Sequence, residues 1–235
     1  MDPVTMISII IPVLNEAKTI EDHIFHIIDH SSLLNISEII VVDGGSTDGS
    51  QDIIKNLDLK IKLLHSPKGR AKQMNLGAQY AKGTILYFLH ADSFPPLHFD
   101  KSIISEVKKG HNAGCFRLEF DSNHWWLKLS GWLTQFSWRA CRGGDQSQFI
   151  TKALFEDIGG FDESYIIYED NILINELYKR NEFVVINKKI KTSARRYHKH
   201  GVWKLQYHFW AIYVKKWFGA SAEDLFAYYK KYILK

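Results

Sequence analysis

Residues 39–48 read Ile-Ile-Val-Val-Asp-Gly-Gly-Ser-Thr-Asp. Four β-branched residues run without polar alternation and stop at Asp43, two glycines and small polar residues. A strand without alternation is buried on both faces, as in a parallel sheet covered by helices on either side. Such sheets bind ligands beyond the carboxyl ends of their strands. Asp43 stands at such an end, before a turn too small to block a ligand. The pattern recurs. Residues 7–16, Ile-Ser-Ile-Ile-Ile-Pro-Val-Leu-Asn-Glu, end in Asn15 and Glu16, and residues 85–93, Ile-Leu-Tyr-Phe-Leu-His-Ala-Asp-Ser, end in His90, Asp92 and Ser93. Three buried strands that deliver polar groups to one rim define a candidate active site.

Outward from these stretches, strand patterns near 6–13, 38–43, 60–65 and 84–90 alternate with helix patterns near 17–31, 48–57, 69–82 and 98–109. This predicts an α/β fold with a doubly wound, mostly parallel sheet and helices on both faces. After residue 110 the rhythm changes. The pattern predicts a strand near 113–121, an aromatic helix near 124–140, a Gly-rich turn at 143–144 and a strand at 148–151. Helices at 152–158 and 169–180, two short strands near 183–196 and only helix from 201 onward follow. No repeat, low-complexity segment or linker divides the 235 residues, which fit one domain.

Hydrophobic content of 46% and charged content of 24% are those of a globular protein in water. A net charge of +4, with no basic run interleaved with aromatics, argues against a nucleic-acid partner. Cys115 and Cys141 lack metal-knuckle flanks and read as buried thiols in a reducing compartment. The N-terminus is a poor secretory signal, and no apolar run approaches the roughly 18 residues that span a bilayer. The expected location is cytoplasmic, with contact to the inner face of the membrane as a variant of it.

Residues 7–16, 39–49 and 69–96 resemble the nucleotide-sugar half of an inverting family 2 glycosyltransferase with the Rossmann-like GT-A fold. Gly159-Gly160-Phe161-Asp162-Glu163, followed by Glu169-Asp170 opening a helix, is similar to that family's acceptor region. More narrowly, Leu-His-Ala-Asp at 89–92, Gly-Asp-Gln at 144–146 and Thr-Ser-Ala-Arg-Arg-Tyr at 192–197 resemble a compact bacterial branch associated with arsenosugar biosynthesis. The resemblance implies one GT-A domain over 1–235: a nucleotide-sugar half at 1–110, an acceptor and catalytic half at 111–200 and a helical extension at 201–235. It implies a nucleotide-diphosphate sugar as donor, of UDP type, and an unidentified acceptor hydroxyl. A rival reading is a nucleotide-sugar-binding protein without catalysis. A sugar-nucleotidyltransferase is disfavoured because Pro-Val-Leu-Asn-Glu, not a Gly-rich phosphate loop, follows the first strand.

On the donor side, Asp43 is a candidate to accept from a uracil imide or ribose hydroxyls; its rival role is to cap the following helix. The family usually has a second acid after this Asp, where Gly44 stands. Pro12, Asn15 and Glu16 would wall the same pocket, although Glu16 could merely favour a helix N-terminus. Arg70, behind Gly69, suits phosphate or base at a helix start, or reads as a solvated basic turn; Asn75 follows on the inner stripe. His90-Ala91-Asp92 stands where the family has Asp-x-Asp. Asp92 is the expected contact for a divalent cation, Mn²⁺ or Mg²⁺, bridging diphosphate oxygens. His90 would hydrogen-bond ribose or a neighbour, or ligate Mn²⁺. Arg195 and Arg196 are expected to stabilise the leaving group, with a basic surface strand as the rival.

On the acceptor side, the resemblance makes Asp170 the general base with Glu169 assisting; an acidic pair that stabilises a helix dipole is the plain alternative. Arg142, Gly144, Asp145 and Gln146 are expected to contact acceptor, or to form a surface turn. Trp125 is a candidate to stack on an acceptor ring or fill the core. His23, His26 and His30 share a helical face without zinc-type partners and are expected in solvent. Trp203, Tyr207, Trp210, Val214 and Trp217 step 4, 3, 4, 3 along the last helix. That stripe is expected against the core or a second copy in a homodimer, with a membrane surface as the alternative.

Overall fold

The computed structural model describes residues 5–57, 59–143 and 146–234. The first half alternates as the apolar runs require: β1 (Ile7–Val13), α1 (Ile20–Asp29), β2 (Ile36–Asp43), α2 (Ser50–Asn56), β3 (Ile61–His65), α3 (Arg70–Tyr80), β4 (Ile85–Phe88), β5 (Ser93–Phe94) and α4 (Phe99–Lys108). Then follow β6 (Ala113–Phe120), α5 (Trp125–Leu133), a 3₁₀ turn at Arg139–Cys141, β7 (Gln148–Thr151), α6 (Lys152–Ile158), α7 (Glu169–Lys179) and β8 (Phe183–Thr192). The chain closes with α8 (Arg195–His200), α9 (Val202–Trp217) and α10 (Ala222–Tyr232).

The strands form one mixed sheet in the order β3-β2-β1-β4-β7-β6-β8-β5. β3, β2, β1 and β4 are mutually parallel. β7 runs antiparallel to β4 and to β6, and β8 is parallel to β6. The ends of β1, β2, β4 and β8 therefore share one edge. Each face buries its own core. Ile7, Ile9, Ile11 and Val13 pack with Ile20, Ile24 and Phe99 on one side, and Ile10, Ile40 and Val42 pack with Met74, Ala78 and Leu173 on the other. That division on alternate residues is the period of a strand. A separate cluster of Leu205, Ile212, Leu225 and Ile233 holds the C-terminal helices together.

Four expectations change. The aromatic helix stops at Leu133, because Thr134 turns its hydroxyl to donate to the Gly131 carbonyl and accept from Leu118 N–H of β6 at 2.8 Å. The two short strands near 183–196 are one ten-residue strand, β8, which pairs along all of β6 with a register shift between Phe116 and Arg117; residues 195–200 are helix. His23 is fully buried rather than in solvent, with Nε2 2.8 Å from the Ser93 carbonyl, and His26 Nε2 meets the Pro95 carbonyl at 2.8 Å. Finally, α9 docks by Leu205 and Ile212, on its opposite side, so the expected cover of the Trp203–Trp217 stripe by the core is not found; Trp203 is 50% and Trp217 84% exposed.

Candidate active site

The polar ends of β1 and β2 are locked to each other. Asn15, at a left-handed φ of 58°, accepts from Thr47 N–H through Oδ1 at 2.9 Å, and its own N–H donates to Ser46 Oγ at 2.9 Å. Asp43 is 1% exposed, and its Oδ2 accepts from Gly45 N–H at 2.9 Å, Ser46 N–H at 3.0 Å and Gln51 Nε2 at 2.8 Å. Burial alone would raise its pKa, but the bonds from Ser46, Gly45 and Gln51 outweigh that and hold the carboxyl below the usual range. Asp43 thus organises the turn that follows β2, while the N-terminus of α2 at Gly49 has no side-chain cap. Pro12 and Ala91 are buried in the wall beneath the rim.

Gln73, which the sequence reading passed over, lies under this turn. It is 3% exposed and donates through Nε2 to the carbonyls of Val13 at 2.9 Å and Val42 at 2.7 Å, at the ends of β1 and β2. A Cβ on residue 44 would come within 3.0 Å of its amide. Gly44 replaces the family's second acid where Gln73 occupies the space. Only the fold brings these two positions together, so the available signal, a glycine in place of an acid, had no visible partner.

The edge carries a cation held between two carboxylates. Arg195 binds both oxygens of Glu16, with Nη1–Oε2 at 2.7 Å, and its Nη2 lies 3.4 Å from Asp92 Oδ2. The connection follows from topology: β5 pairs antiparallel with β8, and Ser193 N–H donates to the Asp92 carbonyl at 3.1 Å, which puts the start of α8 beside Asp92. Asp92 keeps 23% of its side chain exposed. Arg196 points elsewhere, donating to Tyr229 Oη and lying over the rings of Phe209 and Tyr229. Neighbouring helical residues do not share a face, so the structure brings Arg195 but not Arg196 to Glu16 and Asp92. His90 is half-buried beside Asp92. Among the described residues, no three His, Cys, Asp or Glu side chains cluster as a complete metal site.

A second cluster joins two helix N-termini. Arg70, the first residue of α3, sets Nε 2.6 Å from Glu169 Oε1 and Nη2 3.7 Å from Asp170 Oδ2, at the first turn of α7. It is no solvated basic turn. Glu169 is fully buried and Asp170 6% exposed. Burial pushes Glu169 up, Arg70 pulls it down and Asp170 pushes it up again, with a net position well above the usual glutamate range. Arg139, also missed in sequence because it fell in the supposed aromatic helix, braces α7 through Asn171 Oδ1 at 3.0 Å and Asn175 Oδ1 at 2.5 Å.

Several expected contacts have structural work instead. Asn75 clamps the turn at 160–163, taking Phe161 N–H at 2.9 Å and donating to the Phe161 carbonyl and to Glu163. Arg142 is 2% exposed, and its Nη2 donates to the Thr134 and Phe136 carbonyls at 2.5 and 2.6 Å, which the end of α5 leaves free. Gln146, also 2% exposed, accepts from Gly143 N–H and donates to the Phe116 carbonyl. Both side chains are spent on these loop carbonyls and N–H groups. Gly144 and Asp145 lie outside the described residues. Trp125 is 59% exposed and touches the rings of Trp126 and Trp203, so it does not fill the core.

Comparison with known proteins agrees with this fold. Residues 8–169 match the profile of Glycosyl transferase family 2. An uncharacterized glycosyltransferase of Haemophilus influenzae is 38% identical over 94 residues, which cover 38% of this chain and 37% of that protein. The mannosyltransferase PcManGT of Pyrobaculum calidifontis, in complex with GDP-Man and Mn²⁺, superposes with a TM-score of 0.71 at 17% identity, over 94% of this chain and 66% of that one. S. aureus TarS 1–349 in complex with UDP-GlcNAc superposes with a TM-score of 0.66 at 18% identity, over 80% and 58%. The chain spans little more than a third of the length of the H. influenzae relative. The fold is that of the GT-A glycosyltransferases, and the chain belongs to glycosyl transferase family 2, an inverting class.

Proposed function

We propose that this chain transfers a sugar, with inversion, from a nucleotide-diphosphate sugar to an acceptor hydroxyl. The observation that carries the reading is the pair of carboxylate–arginine clusters, Glu16–Arg195–Asp92 on the strand ends and Arg70–Glu169–Asp170 on two helix N-termini. One suits a diphosphate and the other a proton to be removed. A UDP-type donor is favoured, in keeping with the UDP-GlcNAc bound by TarS, although PcManGT binds GDP-Man.

In this reading the donor lies against the 1–110 half and the acceptor against the 111–200 half. Asp170 takes the proton of the acceptor hydroxyl, whose oxygen attacks the anomeric carbon opposite the departing diphosphate and inverts its configuration. Glu169, fully buried on Arg70, positions that guanidinium and so the Asp170 carboxylate. Arg195 is placed to exchange part of its pairing with Glu16 for the leaving phosphate oxygens. The donor set fits a hard divalent cation: Asp92 offers partly accessible carboxylate oxygen, Glu16 is the second carboxylate around the same positive charge, and such ions commonly take one or two carboxylates plus phosphate oxygens. Bound there, Mn²⁺ or Mg²⁺ would supply charge neutralisation to the diphosphate. The finer reading, an acceptor from arsenosugar-type biosynthesis, rests on the three short motifs at 89–92, 144–146 and 192–197.

The test is Asp170→Asn, with donor affinity and turnover measured on one preparation. The expected result is unchanged affinity with turnover lower by about 100- to 10,000-fold. Near-normal turnover would return Asp170 to a helix-dipole role. Donor binding by the wild type without transfer to any of a panel of hydroxyl acceptors would favour the non-catalytic binder.

A further inference from the structure

The outer faces of α5 and α9 form one exposed aromatic surface. On α9, Trp203, Tyr207, Trp210, Val214 and Trp217 are between 47% and 84% exposed, and Phe218 beyond them is 82% exposed. On α5, Trp125, Leu129 and Trp132 repeat the same 4, 3 spacing and are 59%, 38% and 51% exposed. Trp126 joins the two stripes, with its ring centroid 5.5 Å from Trp203 and 5.7 Å from Trp210. Water rarely wets so continuous an apolar patch on a globular protein without a binding purpose.

Charge selects the occupant. Residues 195–235 hold nine Lys and Arg against two Asp and Glu, whereas residues 1–194 hold 21 against 24. The positive segment of the chain is the one that carries the α9 stripe. Exposed Lys128 and Lys204 sit within the two stripes, and exposed Lys215 flanks the second. A two-fold contact through this face would press the same lysine-bearing patch against itself, like charge toward like charge. A bilayer interface with anionic headgroups accepts both components, indoles at headgroup depth and lysines on phosphate. No helix among the described residues is long and apolar enough to cross a membrane, so α9 would lie in the plane of the surface.

We propose that the α5–α9 face docks on an anionic membrane interface. The full chain is sedimented with phosphatidylcholine vesicles, alone or with about 30% phosphatidylglycerol, at about 0.05 and 0.5 M salt, while indole emission is recorded. The expected result is binding to the anionic vesicles with a blue shift, weakened about tenfold by the higher salt. Trp217→Ser with Phe218→Ser should weaken it about fivefold or more with the thermal midpoint unchanged, since these rings are exposed and touch each other. Lys128→Glu with Lys204→Glu should remove the preference for anionic vesicles. No binding to anionic vesicles, or binding that both double variants leave intact, would overturn the proposal. So would a dimer in sedimentation equilibrium that Trp217→Ser with Phe218→Ser converts to monomer, which would make a second copy the occupant. None of these readouts requires turnover, so they stand or fall apart from the proposed reaction.

Discussion

The His23 ring is sealed between Phe94, edge-on at 5.4 Å, and the Ser93 carbonyl, so Nε2 must carry the proton and buried Nδ1 has no hydrogen-bond partner. Burial lowers its pKa from 6.5 to about 4, against the opposing pull of the Ser93 bond. Because the folded value lies below the unfolded one, the neutral ring's contribution is complete above pH 6.5 and is lost as the pH falls through 6.5 toward 4. The difference is worth about 3 kcal/mol. Urea unfolding of wild type and His23→Gln between pH 7.5 and 4 should therefore show the wild type losing about 3 kcal/mol more than the variant. Parallel curves would mean that acid acts elsewhere. The histidine illustrates what single residues concealed. Its spacing on α1 placed it on a face with His26 and His30, but the cover over that face is the Ser93–Pro95 segment, too short to leave a strand pattern. Asp92 and Asp170 stood out in sequence because each lies beside the end or start of an element; the burial of Arg142 and Gln146 did not show, because a side chain that satisfies loop carbonyls looks, in sequence, like one that reaches for a ligand.

At the scale of elements, the first four long strands and their helices fell where unbroken apolar runs and helical spacing put them, within a few residues. The second half was harder for a physical reason. Its strands pair out of chain order, and the end of α5 depends on Thr134 and Arg142 rather than on a glycine or proline that sequence would display. The geometry of the candidate site also rests on contacts between elements. Asn75 of α3 is one: it binds both the N–H and the carbonyl of Phe161, and Gly160, at φ 79°, leaves no room for a Cβ, which would come within 2.9 Å of Asn75 Oδ1. Asn75→Ala removes both partners from a partly buried turn that leads into α7 and should cost about 1–3 kcal/mol. Chemical denaturation checks that figure. A loss near zero would show that water replaces the amide and that the turn does not need it.

For the molecule as a whole, strand direction does most of the placing. Because β1, β2, β4 and β8 all end at one edge, residues far apart in the chain become a site, and Arg195 comes to bridge Glu16 and Asp92. The sequence showed the three carboxylate-bearing strand ends and the acidic start of α7; it did not show that an arginine more than a hundred residues later would neutralise two of those ends. The same arrangement can be probed without knowing the acceptor. If the edge holds a nucleoside diphosphate through a divalent cation, affinity must depend on both the metal and Asp92. Calorimetric titration of UDP and GDP into wild type and Asp92→Asn, with Mn²⁺, with Mg²⁺ and with chelator, measures this directly. The expected result is tight binding of one nucleotide to the wild type with metal, weakened about tenfold or more by chelator or by Asp92→Asn, with no further metal response in the variant. Equal affinity for both proteins under every metal condition would contradict it.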